Sequence, residues 1–473
     1  MKILLIDIPF GSHDIGGIRN RFSGVENKIP SLGLAYIASV AELEGHEVRV
    51  LDCNVPSSTH SGWAKIQAEG NYFRPDVVGM TITTPSVNNA LKTVRIMREI
   101  NPNIVSIAGG SHPTIMPEQI TSFDLFNFIV LGEGEQTFTS LLQYIDGNYT
   151  ELQSISGIAY KKDNRLYVTK KRKMIKNLDS IPLPARHLFP PLKFYQPTPA
   201  SYRKLPLAHI MTSRGCPSRC NFCDRSVFGE IYRRRSVDNI MMEIEDVVKN
   251  HNAREIRFFD DTFTLKRERL VKICSEIKKF RPKIPWTCLT KVNCVDLDML
   301  KMMYDAGCWQ VLYGLESGDD NILKTLGKKN TVKQNIQAVQ WAREAGLRVR
   351  ADFLVGTPSE TVESLFKTLD FAKKLDIDFA HFNKFIPFPG TSFYRQLVTE
   401  GYQFNFSKSS TLDHDAIVYL PPAIPEHKYR EFLDFAYKKF YLRAGYLFKR
   451  LFAIRTLTEL KGNLQGAIAM KSI

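Results

Sequence analysis

The sequence has no apolar run of roughly eighteen residues, the length that spans a bilayer as a helix. An ordinary transmembrane segment is therefore excluded. Met1 leads straight into Lys-Ile-Leu-Leu-Ile-Asp-Ile, with no small-residue cleavage site behind it. This start reads as a buried strand and not as a secretory signal, so a cytoplasmic protein is expected. No long basic block occurs; the nearest are 170–173 and 233–235. The net charge of +15 therefore does not by itself make a nucleic-acid binder, and no nucleic-acid partner is expected. Such a charge also suits an acidic protein or an anionic surface. Internal repeats and low-complexity tracts are absent as well.

What is present is a chain of 473 residues, 44% hydrophobic and 24% charged. At about 100–200 residues per domain this allows two to four domains with packed cores. Residues 1–150 alternate short apolar runs with helical periodicity. Strands are predicted over 3–7, 48–52, 77–82, 104–108 and 128–131, and helices over 32–44, 86–99 and 136–145. Such alternation gives a doubly wound parallel sheet of Rossmann-like type, an α/β fold. Ligands of these sheets sit at the carboxyl ends of the strands. Those ends carry Thr81–Thr84, Gly109-Gly110-Ser111-His112-Pro113 and Gly132-Glu133-Gly134-Glu135.

Residues 151–205 read as a proline-rich linker with a small hairpin around 157–160 and 166–168. A second alternation fills 206–400, with strands over 208–212, 255–259, 285–289, 310–315, 348–355 and 379–386. Six strand–helix units predict a partial or complete TIM-like β/α barrel, with chemistry at the carboxyl ends of its strands. Residues 401–473 form a helical C-terminal region. Nine aromatics lie between Tyr429 and Phe452, interleaved with basic residues. At helical spacing they suit a helix packed on the barrel. The alternative is a face for a lipid-like substrate or for peripheral contact with a membrane.

Three of the eight cysteines stand together in Thr212-Ser-Arg-Gly-Cys216-Pro-Ser-Arg-Cys220-Asn-Phe-Cys223-Asp, directly after a predicted strand. In a cytosolic chain such a group is metal-binding more often than disulfide-forming. Three thiolates at this spacing can hold three irons of a cubane cluster. No nearby Cys or His supplies the fourth ligand of a zinc site. The fourth iron is thereby left for a small molecule with an amine and a carboxylate. Cys53, Cys274, Cys288, Cys294 and Cys308 are scattered.

The C-x3-C-x2-C run of Cys216, Cys220 and Cys223 resembles the signature of the radical S-adenosylmethionine (SAM) superfamily. The resemblance implies a 4Fe-4S cluster on these three cysteines, which cleaves SAM to methionine and a 5'-deoxyadenosyl radical. Phe222 resembles the aromatic whose backbone meets the adenine. Phe259-Asp260-Asp261 stands where relatives contact the SAM amino group, which puts Asp260 and Asp261 in the candidate SAM site. Gly314-Leu-Glu316-Ser317-Gly318 resembles the fourth-strand motif near the ribose and carboxylate, adding Glu316 and Ser317. Lys328, beside Lys329, falls where relatives place a base for the SAM carboxylate. The Leu354-Val-Gly356-Thr-Pro segment resembles the fifth-strand motif near the adenine, adding Gly356.

The first domain is similar to the cobalamin-binding domains fused to such barrels, through its 30–36, 45–48, 75–79, 109–113 and 132–135 segments. The resemblance implies cobalamin contacts at Thr83, Thr84, Ser86, Gly109, Gly110, Gly132 and Glu133. Classical cobalamin domains carry Asp-x-His-x-x-Gly. Here Gly11-Ser-His13-Asp-Ile-Gly16 lacks the Asp that would orient the imidazole, so His13 is expected to be an ordinary loop residue. The implied activity is methyl transfer to an unactivated carbon of a small-molecule or lipid-like substrate. The alternative is cobalamin-assisted radical cyclisation, oxidation or rearrangement. An acidic flavodoxin or ferredoxin is the implied low-potential electron donor.

Overall fold

A computed structural model of the protein describes residues 1–9, 27–55, 62–148, 151–406, 416–454 and 456–471. His13 lies outside the described residues.

The N-terminal region runs β1 (Lys2–Asp7), α1 (Leu32–Leu43), β2 (Glu47–Asp52), α2 (Gly62–Phe73), β3 (Val77–Thr81), α3 (Val87–Ile100), β4 (Val105–Gly109), α4 (Ser111–Ile115), α5 (Pro117–Ser122), β5 (Phe128–Val130) and α6 (Glu135–Ile145). A hairpin of β6 (Ile158–Lys162) and β7 (Arg165–Val168) follows. The strands form one sheet in the order β2-β1-β3-β4-β5-β6-β7. The first five are parallel and the hairpin joins antiparallel at the β5 edge. The apolar run at the chain start follows from burial on both faces, as parallel central strands require. Leu4 and Ile6 pack toward α2 and α3, while Ile3 and Leu5 pack toward α1 and α6. Ser31 caps α1 by accepting from the Leu34 N–H. Strand order reverses about β1, so a crevice opens at the carboxyl ends beside it.

The second region contains β8 (Leu207–Ile210), β9 (Ser213–Arg214), β10 (Arg233–Arg234), α7 (Val237–Lys249), β11 (Glu255–Phe258), α8 (Arg267–Ile277), β12 (Trp286–Thr290), α9 (Leu297–Asp305), β13 (Cys308–Glu316), α10 (Asp320–Thr325), α11 (Val332–Glu344), β14 (Arg348–Val355), α12 (Val362–Lys374), β15 (Phe379–Lys384) and α13 (Ser392–Thr399). Six strands form one sheet in the order β15-β14-β13-β12-β11-β8, all parallel. β8 and β15 do not pair with each other, so the barrel is partial. Alternate residues such as Ile256, Phe258, Val349, Ala351 and Phe353 join the core under the outer helices. Their neighbours along each strand face the lumen.

The tail forms α14 (Glu426–Tyr441), α15 (Ala444–Ala453) and α16 (Leu457–Lys471). Tyr429, Phe432, Leu433, Ala436, Tyr437 and Phe440 of α14 are buried against the barrel. Most of the aromatic stripe is thus core. Leu447, Phe448, Leu451 and Phe452 of α15 stay exposed. No helix among the described residues is long and apolar enough to cross a membrane.

Candidate functional site

The cysteine loop leaves the end of β8 and is bracketed by β9 and β10, which pair antiparallel. Gly215 takes φ +85°, and a Cβ there would collide with the Ile231 carbonyl, so only glycine lets the loop turn. Asn221 pins the loop to the turn after α10. Its N–H donates to the Leu326 carbonyl at 2.9 Å and its amide to the Thr325 carbonyl at 2.7 Å. Cys216, Cys220 and Cys223 all carry free thiols. Cys223 keeps surface exposure but sits low in a concave site. Burial, then the neighbouring Cys220, Asp261 and Cys216, push its thiol up to about 12. The three thiols therefore share one electrostatic environment. Yet among the described residues no three His, Cys, Asp or Glu side chains converge on a single metal ion. In a cubane each thiolate holds a different iron, so convergence on one point is not needed.

Around this loop the structure gathers several of the residues singled out from the sequence. Lys328 donates to Glu316 Oε1 at 2.6 Å, and its ammonium lies 5.8 Å from the Phe222 ring centroid. Burial opposes the charge on Lys328, but Glu316 and then the Cys220 and Cys223 thiols hold its pKa above the ordinary lysine value. Glu316 adopts φ +61°, an uncommon conformation for a residue with a Cβ. The β13–β14 register shifts at this point, and the buried carboxylate takes the Lys328 ammonium. Asp261 is exposed beside Cys223. Asp260 is turned inward: Oδ1 accepts from the Thr212 N–H at 2.6 Å and the Ser213 N–H at 2.8 Å, and Oδ2 from the Thr212 hydroxyl. It anchors the start of the cysteine loop. Ser317 is buried and bonds Thr368 of α12 at 3.0 Å. Gly356 ends β14, where its N–H donates to Glu360 Oε2 at 2.5 Å. Any side chain at Gly356 would strike Tyr429 of α14.

A cavity of about 300 Å³ opens at the carboxyl ends of β3, β4 and β5. Its walls include Gly33, Thr81, Thr83, Gly109, Gly110, Gly132 and Glu133 of the first domain. Met211, Arg214, Val227 and Phe228, from the cysteine loop and its approach, complete it. A Cβ added at Gly33 would meet nothing within 4 Å, and one at Gly132 only the Val227 carbonyl at 4.0 Å. The backbone at Gly33 and Gly132 is therefore open to a ligand, while side chains such as Leu34, Ile107 and Phe138 give the cavity an apolar wall. Thr84 lines a neighbouring cavity, where its hydroxyl meets His112 Nδ1 at 3.1 Å. Gln119 takes Nε2 of the same ring at 3.0 Å, so His112 is fully engaged. Ser86 is buried and closes a capping box with Thr83.

Glu133 accepts from Arg214 at 2.9 Å, from Arg233 at 2.7 Å and from the Ile175 N–H at 3.0 Å. Arg214 also reaches Glu135 at 2.5 Å. Sequence reasoning did not single out Arg214 or Arg233 as site residues, and it named Glu135 only as part of a strand end. The one available signal was the place of Arg214, two residues before Cys216.

Two family models match the chain: the radical SAM superfamily over residues 210–372 and the B12 binding domain over residues 22–142. An uncharacterized methyltransferase of Pyrococcus horikoshii is 36% identical over 456 residues, covering 96% of this chain and 95% of that protein. The anaerobic magnesium-protoporphyrin IX monomethyl ester cyclase of Rubrivivax gelatinosus is 28% identical, covering 88% of this chain and 75% of that protein. In fold, the chain is similar to the radical SAM methyltransferase TsrM from Kitasatospora setae, solved with cobalamin and a 4Fe-4S cluster bound. The TM-score is 0.73 at 17% identity, over 100% of this chain and 99% of that one. The chain belongs to the cobalamin-binding radical SAM enzymes, with S-adenosylmethionine, a 4Fe-4S cluster and cobalamin as its cofactors.

Proposed function

We propose that the protein is a methyltransferase that acts on an unactivated carbon. The observation that carries this reading is the shared cavity. Its floor is the glycine-lined end of the N-terminal sheet, and its facing wall is Met211, Arg214, Val227 and Phe228 beside the cysteine loop. Thr83, Gly109, Gly110 and Gly132 would hold a cobalamin in this cavity. Cys216, Cys220 and Cys223 would hold the cluster, one iron each. When bound, the cluster supplies the electron that cleaves SAM, and cobalamin carries the methyl group.

The chain's own part is binding and positioning. Lys328 is a cation kept charged beside the cysteines, suited to the SAM carboxylate. Asp261 offers an exposed carboxylate for the SAM ammonium, while Asp260 fixes the strand end from which the loop departs. Glu316 orients Lys328, and Phe222 covers it. Ser317 and Gly356 shape the ends of β13 and β14 around the nucleoside. The P. horikoshii relative carries the name methyltransferase, which favours methyl transfer over cyclisation. An acidic flavodoxin or ferredoxin, drawn by the net charge of +15, supplies the electron.

Anaerobic reconstitution with SAM, cobalamin and candidate substrates tests the reading. Methyl transfer consumes two SAM per turnover and yields S-adenosylhomocysteine together with 5'-deoxyadenosine. A product formed with 5'-deoxyadenosine but without S-adenosylhomocysteine would replace methyl transfer with the cyclisation or oxidation reading.

A further inference from the structure

Below the mouth, the lumen of the barrel is polar, and several of its polar groups are not satisfied. On β11, Ile256 and Phe258 join the outer core, so Arg257 between them points inward. Arg257 is 6% exposed. Among the described residues it makes no hydrogen bond or ion pair; its guanidinium lies over the Phe259 ring, 5.6 Å from the centroid. The nearest carboxylates are committed elsewhere. Glu255 accepts from the Arg203 and Lys204 N–H groups at 2.8 and 2.7 Å and from Trp309 Nε1 at 2.9 Å. Asp352 lies 3.4 Å from Arg350 and 3.7 Å from His381. Burial and then the second guanidinium, Arg350, push Arg257 down to about 9.

The surroundings are rich in donors. His209, one strand away on β8 and in register with Arg257, is buried with neither ring nitrogen bonded. Thr287 Oγ1 and Gln310 Nε2, from β12 and β13, are also buried without partners. Buried polar groups are normally satisfied, and a buried charge needs a counter-charge. Water could satisfy the histidine, threonine and glutamine, but it cannot neutralise the guanidinium. The base of the lumen is closed by Glu459 of α16, which pairs with Arg348 at 2.8 Å and Arg203 at 3.3 Å. Arg257 lies roughly 10 Å down its strand from Asp260, at about 3.3 Å per residue. It is thus deeper in the barrel than the cysteine loop.

We propose that Arg257, with His209, Thr287, Gln310 and Arg350 around it, binds an oxyanion of the substrate, a carboxylate or a phosphate group. The inference rests on the enzyme reading above and names its substrate class. Guanidinium forks match the oxygens of either anion, and charge-assisted bonds in a desolvated lumen are strong.

The test is calorimetric titration of the reconstituted holoenzyme, SAM present and ionic strength fixed with chloride, using inorganic phosphate and malonate as separate probes. One of them is expected to bind with a dissociation constant on the order of millimolar. R257Q should weaken that binding at least tenfold, and H209F several-fold. The surface variant K279Q should leave it unchanged. Circular dichroism and iron content check each variant's fold, and H209F keeps the test open if R257Q fails to fold. Binding of phosphate alone assigns a phosphate substrate, and binding of malonate alone a carboxylate. If neither probe bound the wild type, or if R257Q and H209F bound as tightly as it does, the proposal would be overturned. SAM cleavage by the wild type reports separately on the enzyme reading, so either idea can fail alone.

Discussion

Glu133, just past the end of β5, is held by Arg214, the residue two before the first cysteine of the loop, at 2.9 Å. Both side chains are about 95% buried, with exposures of 4% and 5%. One carboxylate thus ties the cobalamin-binding sheet to the approach of the cluster loop. It also neutralises Arg233 on the far side of that loop. A buried ion pair adds little net stability relative to an apolar replacement, but it fixes one register, and removing one partner is costly.

Glu133→Ala leaves the Arg233 guanidinium without a carboxylate and Arg214 with Glu135 alone. The variant should lose about 3–5 kcal/mol, the usual cost of stranding a buried charge. Urea unfolding followed by circular dichroism measures it. A midpoint equal to wild type would mean that water or a shifted side chain already serves these arginines.

Cys216→Ala, Cys220→Ala and Cys223→Ala should each abolish SAM cleavage and strip iron from the reconstituted protein, because in the proposed site each thiolate would hold its own iron. Cys274→Ala and Cys288→Ala should retain near wild-type iron. Both are buried in the core behind the barrel wall, out of reach of the mouth. Iron loss in either of these two, with the fold intact, would refute the ligand assignment.

Glu360 gives a pH signature. It is fully buried, accepting from the Gly356 and Thr357 N–H groups at 2.5 and 2.8 Å. Burial pushes its carboxyl up from 4.5 to about 7. An acid with a raised folded pKa costs nothing below its unfolded pKa, where both states are protonated. Between about 4.5 and 7 the unfolded chain ionises first, so stability falls as pH rises. Glu360→Gln keeps an acceptor for both N–H groups and removes the titration. It should be more stable than wild type at pH 8 by about 1–3 kcal/mol, the difference vanishing near pH 4.5. An advantage that did not change with pH would contradict the burial cause.

The strand–helix alternation, the cysteine loop and the mouth residues Glu316 and Lys328 were legible because each rests on local spacing or a contiguous motif. The roles of Asp260 and Glu133 were not. Both are acidic residues in motif positions, and only the folded chain shows their oxygens bonded to Thr212, Ser213, Arg214 and Arg233. Arg257 was equally hidden, since period-two alternation tells which residues share a face but not that the carboxylates near it are bonded to other groups. The hairpin at 158–168 was visible as a hairpin. Its pairing with β5 depends on a register between Ile129 and Ala159 that no local pattern encodes.

The tail helix illustrates the same limit and carries the last prediction. Helical spacing of aromatics implies packing, and α14 packs. What spacing does not convey is the work of the hydroxyls. β15 is an edge strand, because the barrel does not close. Exposed edges leave unpaired backbone groups that invite aggregation. Tyr441 Oη accepts from the Ala380 N–H at 3.0 Å and donates to the Ala380 carbonyl at 2.9 Å. One helical turn earlier, Tyr437 Oη accepts from the Phe382 N–H at 3.1 Å and donates to its carbonyl at 3.4 Å. Two hydroxyls thus stand in for the missing neighbouring strand. Tyr441→Phe and Tyr437→Phe keep the rings and delete only those bonds. Each should cost about 1–3 kcal/mol, because a buried donor and acceptor are stranded together. The rings lie 6.3 Å apart, so the double variant should depart from additivity. Urea midpoints measure the stability, and light scattering at the midpoint measures association through the bared edge. Two phenylalanine variants as stable and as monodisperse as wild type would show that packing alone covers β15 and that the hydroxyls add nothing.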